Sequence, residues 1–93
     1  MMIELENARE QIDRIDAQMA ALFEARMKIC AEIAACKKEH ALPVRDPARE
    51  EALIRQNQNL IRDPEIASFY LPFLKQVLAL SREYQARLNK EVL

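Results

Sequence analysis

Glycine is absent from this 93-residue chain. That excludes every glycine-rich phosphate loop and the dinucleotide-binding fingerprint, where a backbone without side chains must approach phosphate. It also disfavours sheets joined by tight primed turns, which need positive φ. Histidine occurs once, at His40, with no metal-ligand spacing around it, so no metal and no cofactor are expected and His40 reads as a loop or helix-end residue. Cysteine occurs twice, at Cys30 and Cys36. On one helix the two lie about 9 Å apart along the axis and point in different directions, so they cannot pair and are read as reduced thiols. No apolar run approaches the roughly 18 residues of a membrane span. The start, Met1-Met2-Ile3-Glu4-Leu5-Glu6, has neither the basic nor the apolar region of a signal peptide. A cytoplasmic location without a membrane partner is expected. Charge of one sign is lacking too: 14 basic residues face 15 acidic ones, which argues against a nucleic-acid surface. What remains is a globular composition and length enough for one domain, taken as 1–93.

The pattern predicts an all-α chain of three helices, one long and two shorter. The first runs from about Glu4 to about His40 without an internal proline and ends at Ala41-Leu42-Pro43, since the residue before a proline leaves the helical region. Asp46-Pro47-Ala48-Arg49-Glu50-Glu51 starts the second, with Asp46 as N-cap, Pro47 as first helical residue and acidic side chains near the positive end of the helix dipole. It carries Leu53, Ile54, Leu60 and Ile61 on one side and is expected to end near Ile61. Asp63-Pro64-Glu65 repeats the device and starts the third. That helix bears two apolar rows, Ile66-Tyr70-Phe73-Val77-Leu80-Tyr84 and Ala67-Leu71-Leu74-Leu78-Ser81-Gln85-Leu88, the second turning polar at Ser81 and Gln85. Pro72 predicts a kink or a break about two turns in.

Along the first helix, Leu5, Ala8, Ile12, Ile15, Met19, Leu22, Ile29 and Ile33 recur at steps that keep one face apolar. Such a helix of roughly 35 residues is about 50 Å long. A compact chain of this size has a radius of gyration near 12 Å, on the order of 30 Å across. Two short helices cannot cover so long a stripe. An intertwined homodimer, with long helices packed along each other, is therefore expected.

Two cations interrupt the apolar face. Arg26 stands where the series continues between Leu22 and Ile29, and Lys37 falls eleven residues later over the same face. An isolated buried cation costs several kcal/mol, so an anion must compensate it. Arg9 lies at the edge of the stripe. Arg49 and Glu50 enter from the first turn of the second helix, and Ser81 and Gln85 from the third. Together these define a pocket between helices with an excess of cations, suited to a ligand with more than one carboxylate. Purely structural pairing of Arg26 and Lys37 with Glu50 and Asp46 is the competing arrangement. Arg14, Lys28, Lys38, Arg55, Arg62, Arg82 and Arg87 are read as solvated. With no nucleophile beside a base, the pocket suits a unimolecular rearrangement driven by orientation and preorganised electrostatics.

This ordered set resembles the all-helical class of chorismate mutases: Arg9 in Ala8-Arg9-Glu10-Gln11-Ile12-Asp13, Arg26, Lys37, Pro43-Val44-Arg45-Asp46-Pro47-Ala48-Arg49-Glu50, then Ser81 and Gln85. The resemblance covers nearly the whole chain and is most specific in the Pro43–Glu50 segment. It implies rearrangement of chorismate to prephenate, on the route to phenylalanine and tyrosine, by a stand-alone isomerase. By the same resemblance, Arg26, Arg49 and a partner-chain Arg9 would hold the two carboxylates. Lys37 and Gln85 would meet the ether oxygen. Glu50, with backbone near Asp46, would receive the ring hydroxyl, and Ser81 would assist at a carboxylate. Pro72 departs from the family pattern. Two alternatives remain: an isochorismate pyruvate lyase of the same fold, and a non-enzymatic helical dimerisation module whose inward charges only specify register.

Overall fold

A computed structural model describes residues 4–91. Three helices account for most of them: α1, Leu5–Glu39; α2, Pro47–Gln58; and α3, Pro64–Asn89. Asp46 accepts a hydrogen bond from the Arg49 N–H at 3.1 Å. Asp63 accepts from the N–H groups of Glu65 and Ile66 at 2.9 and 3.3 Å. Each cap satisfies donors that the first helical turn leaves free, at a gain of about 1 kcal/mol.

α2 stops at Gln58, short of Ile61. The Asn57 and Asn59 side chains turn back onto the carbonyls of Leu53 and Arg55, and such local bonds compete with the helical ladder. Leu60 consequently lies outside the helix and exposed. α3, by contrast, runs unbroken through Pro72. The carbonyl that Pro72 leaves without a donor belongs to Ser68, and both residues lie on the exposed side, where solvent can reach the freed carbonyl.

α3 holds the chain together by packing on both α1 and α2. Hydrogen bonds from Arg26 to Ser81 and from Asn89 to the Ala34 carbonyl each join residues 55 apart, so α1 and α3 run parallel, with α2 packed on α3 and not on α1 among the described residues. The seam buries Cys30 and Ala34 of α1 against Leu74, Leu78, Ser81, Gln85 and Ala86 of α3. Thus the second apolar row of α3 is the core row; Ile66, Phe73 and Leu80 of the other row stay exposed.

The apolar stripe of α1, expected to be too long for the two shorter helices to cover, is not covered within the chain. Ile12 is 54% exposed and Leu22 70%, and Leu5, Ile15, Met19, Ile29 and Ile33 are exposed with them. The radius of gyration is 16.7 Å and the longest extent 57 Å, against about 12 Å for a compact chain of this length. Among the described residues, no helix is long and apolar enough to cross a membrane.

Both long helices end without glycine. Ala41 and Lys90 take φ of 55° and 56°. At each end the paired bonds of a Schellman turn form: Leu42 to Lys37 and Ala41 to Lys38, then Glu91 to Ala86 and Lys90 to Arg87. The chain after α1 then folds inward, and Val44 is only 2% exposed.

Candidate active site

α1 turns Arg26 and Lys37 along the border between two faces. At about 100° per residue, Met27, Cys30 and Ala34 lie to one side, against α3, while Leu22, Ile29 and Ile33 lie to the other, uncovered. Both cations reach toward α3. Arg26 donates through Nη1 to the Ser81 hydroxyl and, at 3.7 Å, to the Cys30 sulfur. Ser81 in turn donates to the Val77 carbonyl at 2.8 Å. Lys37 Nζ donates to the Val44 carbonyl at 2.7 Å and to Gln85 Oε1 at 3.0 Å. The two cations start about 16 Å apart along α1, but their partners Ser81 and Gln85 are one turn apart on α3, about 6 Å. The helix pair thus converges two distant cations on one spot.

Neither cation meets a carboxylate. Among the described residues the ion pairs are Arg82–Glu50 and Arg87–Glu83, so pairing of Arg26 and Lys37 with Glu50 and Asp46 does not occur. Asp46 spends its side chain on the α2 cap. Glu50, half-buried, binds Arg82 through Oε1. Arg82 was expected to be solvated; its side chain is instead 27% exposed and paired. It lies about 100° around α3 from Ser81, off the polar row, and only the non-local return of α2 supplies its partner. Val44 was also missed as a participant, because its contribution is a carbonyl and no side-chain pattern announces it.

The polar groups retain unused capacity. A lysine ammonium has three donors and no acceptor; Lys37 uses two. Since Lys37 can only donate, the Gln85 amide must turn its oxygen toward it, which leaves Nε2 as a donor with no recorded partner among the described residues. No described buried side-chain nitrogen or oxygen lacks a partner, so that amide nitrogen is not fully enclosed, although Gln85 as a whole is only 7% exposed. Arg26 Nε and Nη2 likewise have no recorded partner among the described residues. Arg49 is exposed at the start of α2, with no side-chain bond among the described residues. Arg9 is exposed on α1, about 25 Å along the axis from Arg26. An arginine side chain cannot cross that gap, so Arg9 does not join the site of its own chain.

A separate groove of about 1000 Å³ opens beyond Arg26 toward the free end of α1. Met19, Leu22, Phe23, Phe69, Phe73 and Leu80 contribute to its walls, and Arg26 is the one charged residue among those lining it. It fits apolar side chains and not an anion. Donors without counter-carboxylates gather instead at Arg26, Lys37 and Gln85, and such a set stabilises negative charge on a ligand or on a reacting oxygen.

A family model described as chorismate mutase type II matches residues 8–86, a span that takes in every site residue from Arg9 to Gln85. A curated relative, the T-protein of Haemophilus influenzae (strain ATCC 51907 / DSM 11121 / KW20 / Rd), is 32% identical over 51 residues. The match covers 55% of this chain and 14% of that protein. No solved structure matches the chain significantly.

Proposed function

The chain belongs to the chorismate mutase type II family, and from that premise we propose that it rearranges chorismate to prephenate in the pocket between its helices. The observation that carries this reading is the Lys37–Gln85 pair. Lys37 is fixed by Val44 and Gln85, yet a third ammonium proton and the Gln85 amide remain to be used. In the rearrangement the ether C–O bond breaks as a C–C bond forms, within one molecule. Negative charge grows on the ether oxygen only as that bond lengthens. Two preorganised donors aimed there bind the transition state better than the substrate, which is what raises turnover.

The other residues hold and orient the substrate. Arg26, lacking a carboxylate partner, takes one substrate carboxylate, with Ser81 fixing the guanidinium. Arg49 and the partner subunit's Arg9 complete the cationic set. Glu50 accepts the ring hydroxyl beside the α2 start capped by Asp46. Binding in the reactive shape removes the entropic cost of reaching it.

Arg9 requires a homodimer, and the uncovered stripe supplies the surface. If two α1 helices pack antiparallel about a two-fold axis, residue i lies opposite a residue of constant sum. Bringing the partner subunit's Arg9 level with Arg26 places the axis between Ala17 and Gln18. The partner's Ile12 then lies level with Phe23, a wall of the apolar groove.

The decisive experiment is turnover of chorismate by purified protein without added metal or cofactor, with isochorismate run in parallel. Prephenate formation is expected; pyruvate release from isochorismate as the dominant reaction would replace this reading with the lyase. Lys37→Ala is expected to cut kcat by about 100-fold or more, the usual scale for removing a preorganised donor. A near-intact kcat in that variant would overturn the ether-oxygen assignment.

A further inference from the structure

We propose that Arg82 is a positioning residue that sets one oxygen of Glu50 for the substrate hydroxyl and cancels the carboxylate's charge against the dianion. The inference rests on the assignment of Glu50 to the ring hydroxyl. Arg82 sits on α3 next to Ser81 but faces α2, where its Nη1 grips Glu50 Oε1. Oε2 has no recorded partner among the described residues. The pair is partly withdrawn from water, with side chains 27% and 23% exposed.

Two physical consequences follow. Glu50 has three side-chain torsions and would otherwise sample several rotamers; anchoring one oxygen orients the other. A bare carboxylate beside a dianionic ligand would also repel it in a medium of reduced dielectric. With Arg82 in place, Glu50 accepts a hydroxyl as half of a neutral pair, and the charges of Arg26, Lys37 and Arg49 remain for the ligand.

The test is a double-mutant cycle on chorismate turnover with Arg82→Met, Glu50→Gln and the double variant, plus Arg82→Lys, each checked for helicity and oligomeric state. Arg82→Met is expected to lower kcat/KM by about tenfold in the native background, the scale of one charge-assisted bond, and by less than about twofold when Glu50 is already Gln. Arg82→Lys is expected to recover part of the loss, because a lysine keeps the charge without the fork. Equal losses in both backgrounds, or no loss, would overturn the proposal while leaving the Glu50 assignment standing. Full activity of Glu50→Gln would overturn that assignment and this inference together. If Arg82→Met fails to fold, the Lys variant in both backgrounds decides by the same coupling.

Discussion

From Leu5 to Leu22, α1 exposes every large apolar side chain it carries; from Arg26 to Lys37 the same helix buries Cys30 and Ala34 and half-buries Arg26, Met27, Ala31 and Lys37. Both halves share one periodicity. They differ in what stands opposite. The second half has α3 in parallel register, with small Ala34 and Ala86 allowing close approach, whereas in the first half only the stretch from Met19 to Phe23 lines an open groove. Periodicity therefore identifies a face that wants cover and says nothing of which chain provides it. Contiguous apolar surface on this scale marks an interaction site, and it runs on into the second half, where Ile29 and Ile33 stay exposed beside the helix side that gathers the donors.

The comparison breaks most severely at the first half. Ile15→Glu puts a charge on the exposed stripe close to the proposed two-fold axis. Burying it there without a partner costs at least about 3 kcal/mol, felt twice in a symmetric interface. We expect the sedimenting mass to fall to that of one chain, or helicity to be lost, with turnover down by more than about 100-fold. A mass unchanged from that of the native protein would mean that the stripe at Ile15 is not an interface between copies.

A second experiment joins the halves. Chains carrying Arg9→Ala and chains carrying Arg26→Ala are each expected to be nearly inactive. Mixed in equal amounts with subunit exchange, half the dimers are mixed, and each of these regains one intact site, so about a quarter of native activity returns. Absence of recovery after demonstrated exchange would mean that Arg9 and Arg26 do not serve one pocket across two chains.

Much of this was legible in the residues. The two Asp-Pro starts are local signals, and both caps form as those signals imply. The sequence placed Arg26, Lys37, Ser81 and Gln85 in one pocket, and hydrogen bonds do join the α1 pair to the α3 pair, but the α1 row that carries the cations is uncovered at Leu22, Ile29 and Ile33, so the two reach α3 from its border. Three features were not legible. The Met27-Cys30-Ala34 seam uses small and soft side chains that do not stand out beside isoleucine. Arg82 depends on a partner 32 residues away. Pro72 was expected to kink or break α3; the helix does not break there, and whether a proline breaks a helix depends in part on whether the freed carbonyl is exposed, a matter of burial rather than of sequence.

A smaller effect is expected behind the packed half. The buried Val44 N–H donates to the Glu91 carboxylate, at 3.2 and 3.4 Å, while the Val44 carbonyl receives Lys37. Glu91→Ala leaves that N–H without its acceptor, at about 1 to 2 kcal/mol. A domain of this length then melts roughly 5 to 10 °C lower. Because the same residue steadies Lys37 through its carbonyl, kcat is expected to fall a few-fold with KM little changed and the mass unaltered. An unchanged melting temperature would show that the carboxylate does not hold the loop.

The smallest effect is a gain, at the turn that closes the packed half. Ala41 holds φ at 55°, a left-handed geometry that costs an L-residue about 1 to 2 kcal/mol. Glycine escapes that cost but loses about 0.5 to 1 kcal/mol more backbone entropy on folding. Ala41→Gly is therefore expected to stabilise by about 0.5 to 1 kcal/mol, a rise of a few degrees in melting temperature at fixed protein concentration. Lys90→Gly at the end of α3 meets the same geometry but gives up a cation near a helix C-terminus, worth a few tenths of a kcal/mol, so its gain is smaller. A fall in melting temperature for Ala41→Gly would mean that the turn after α1 is not left-handed in solution. Val44 would then lack the inward path that brings its carbonyl to Lys37.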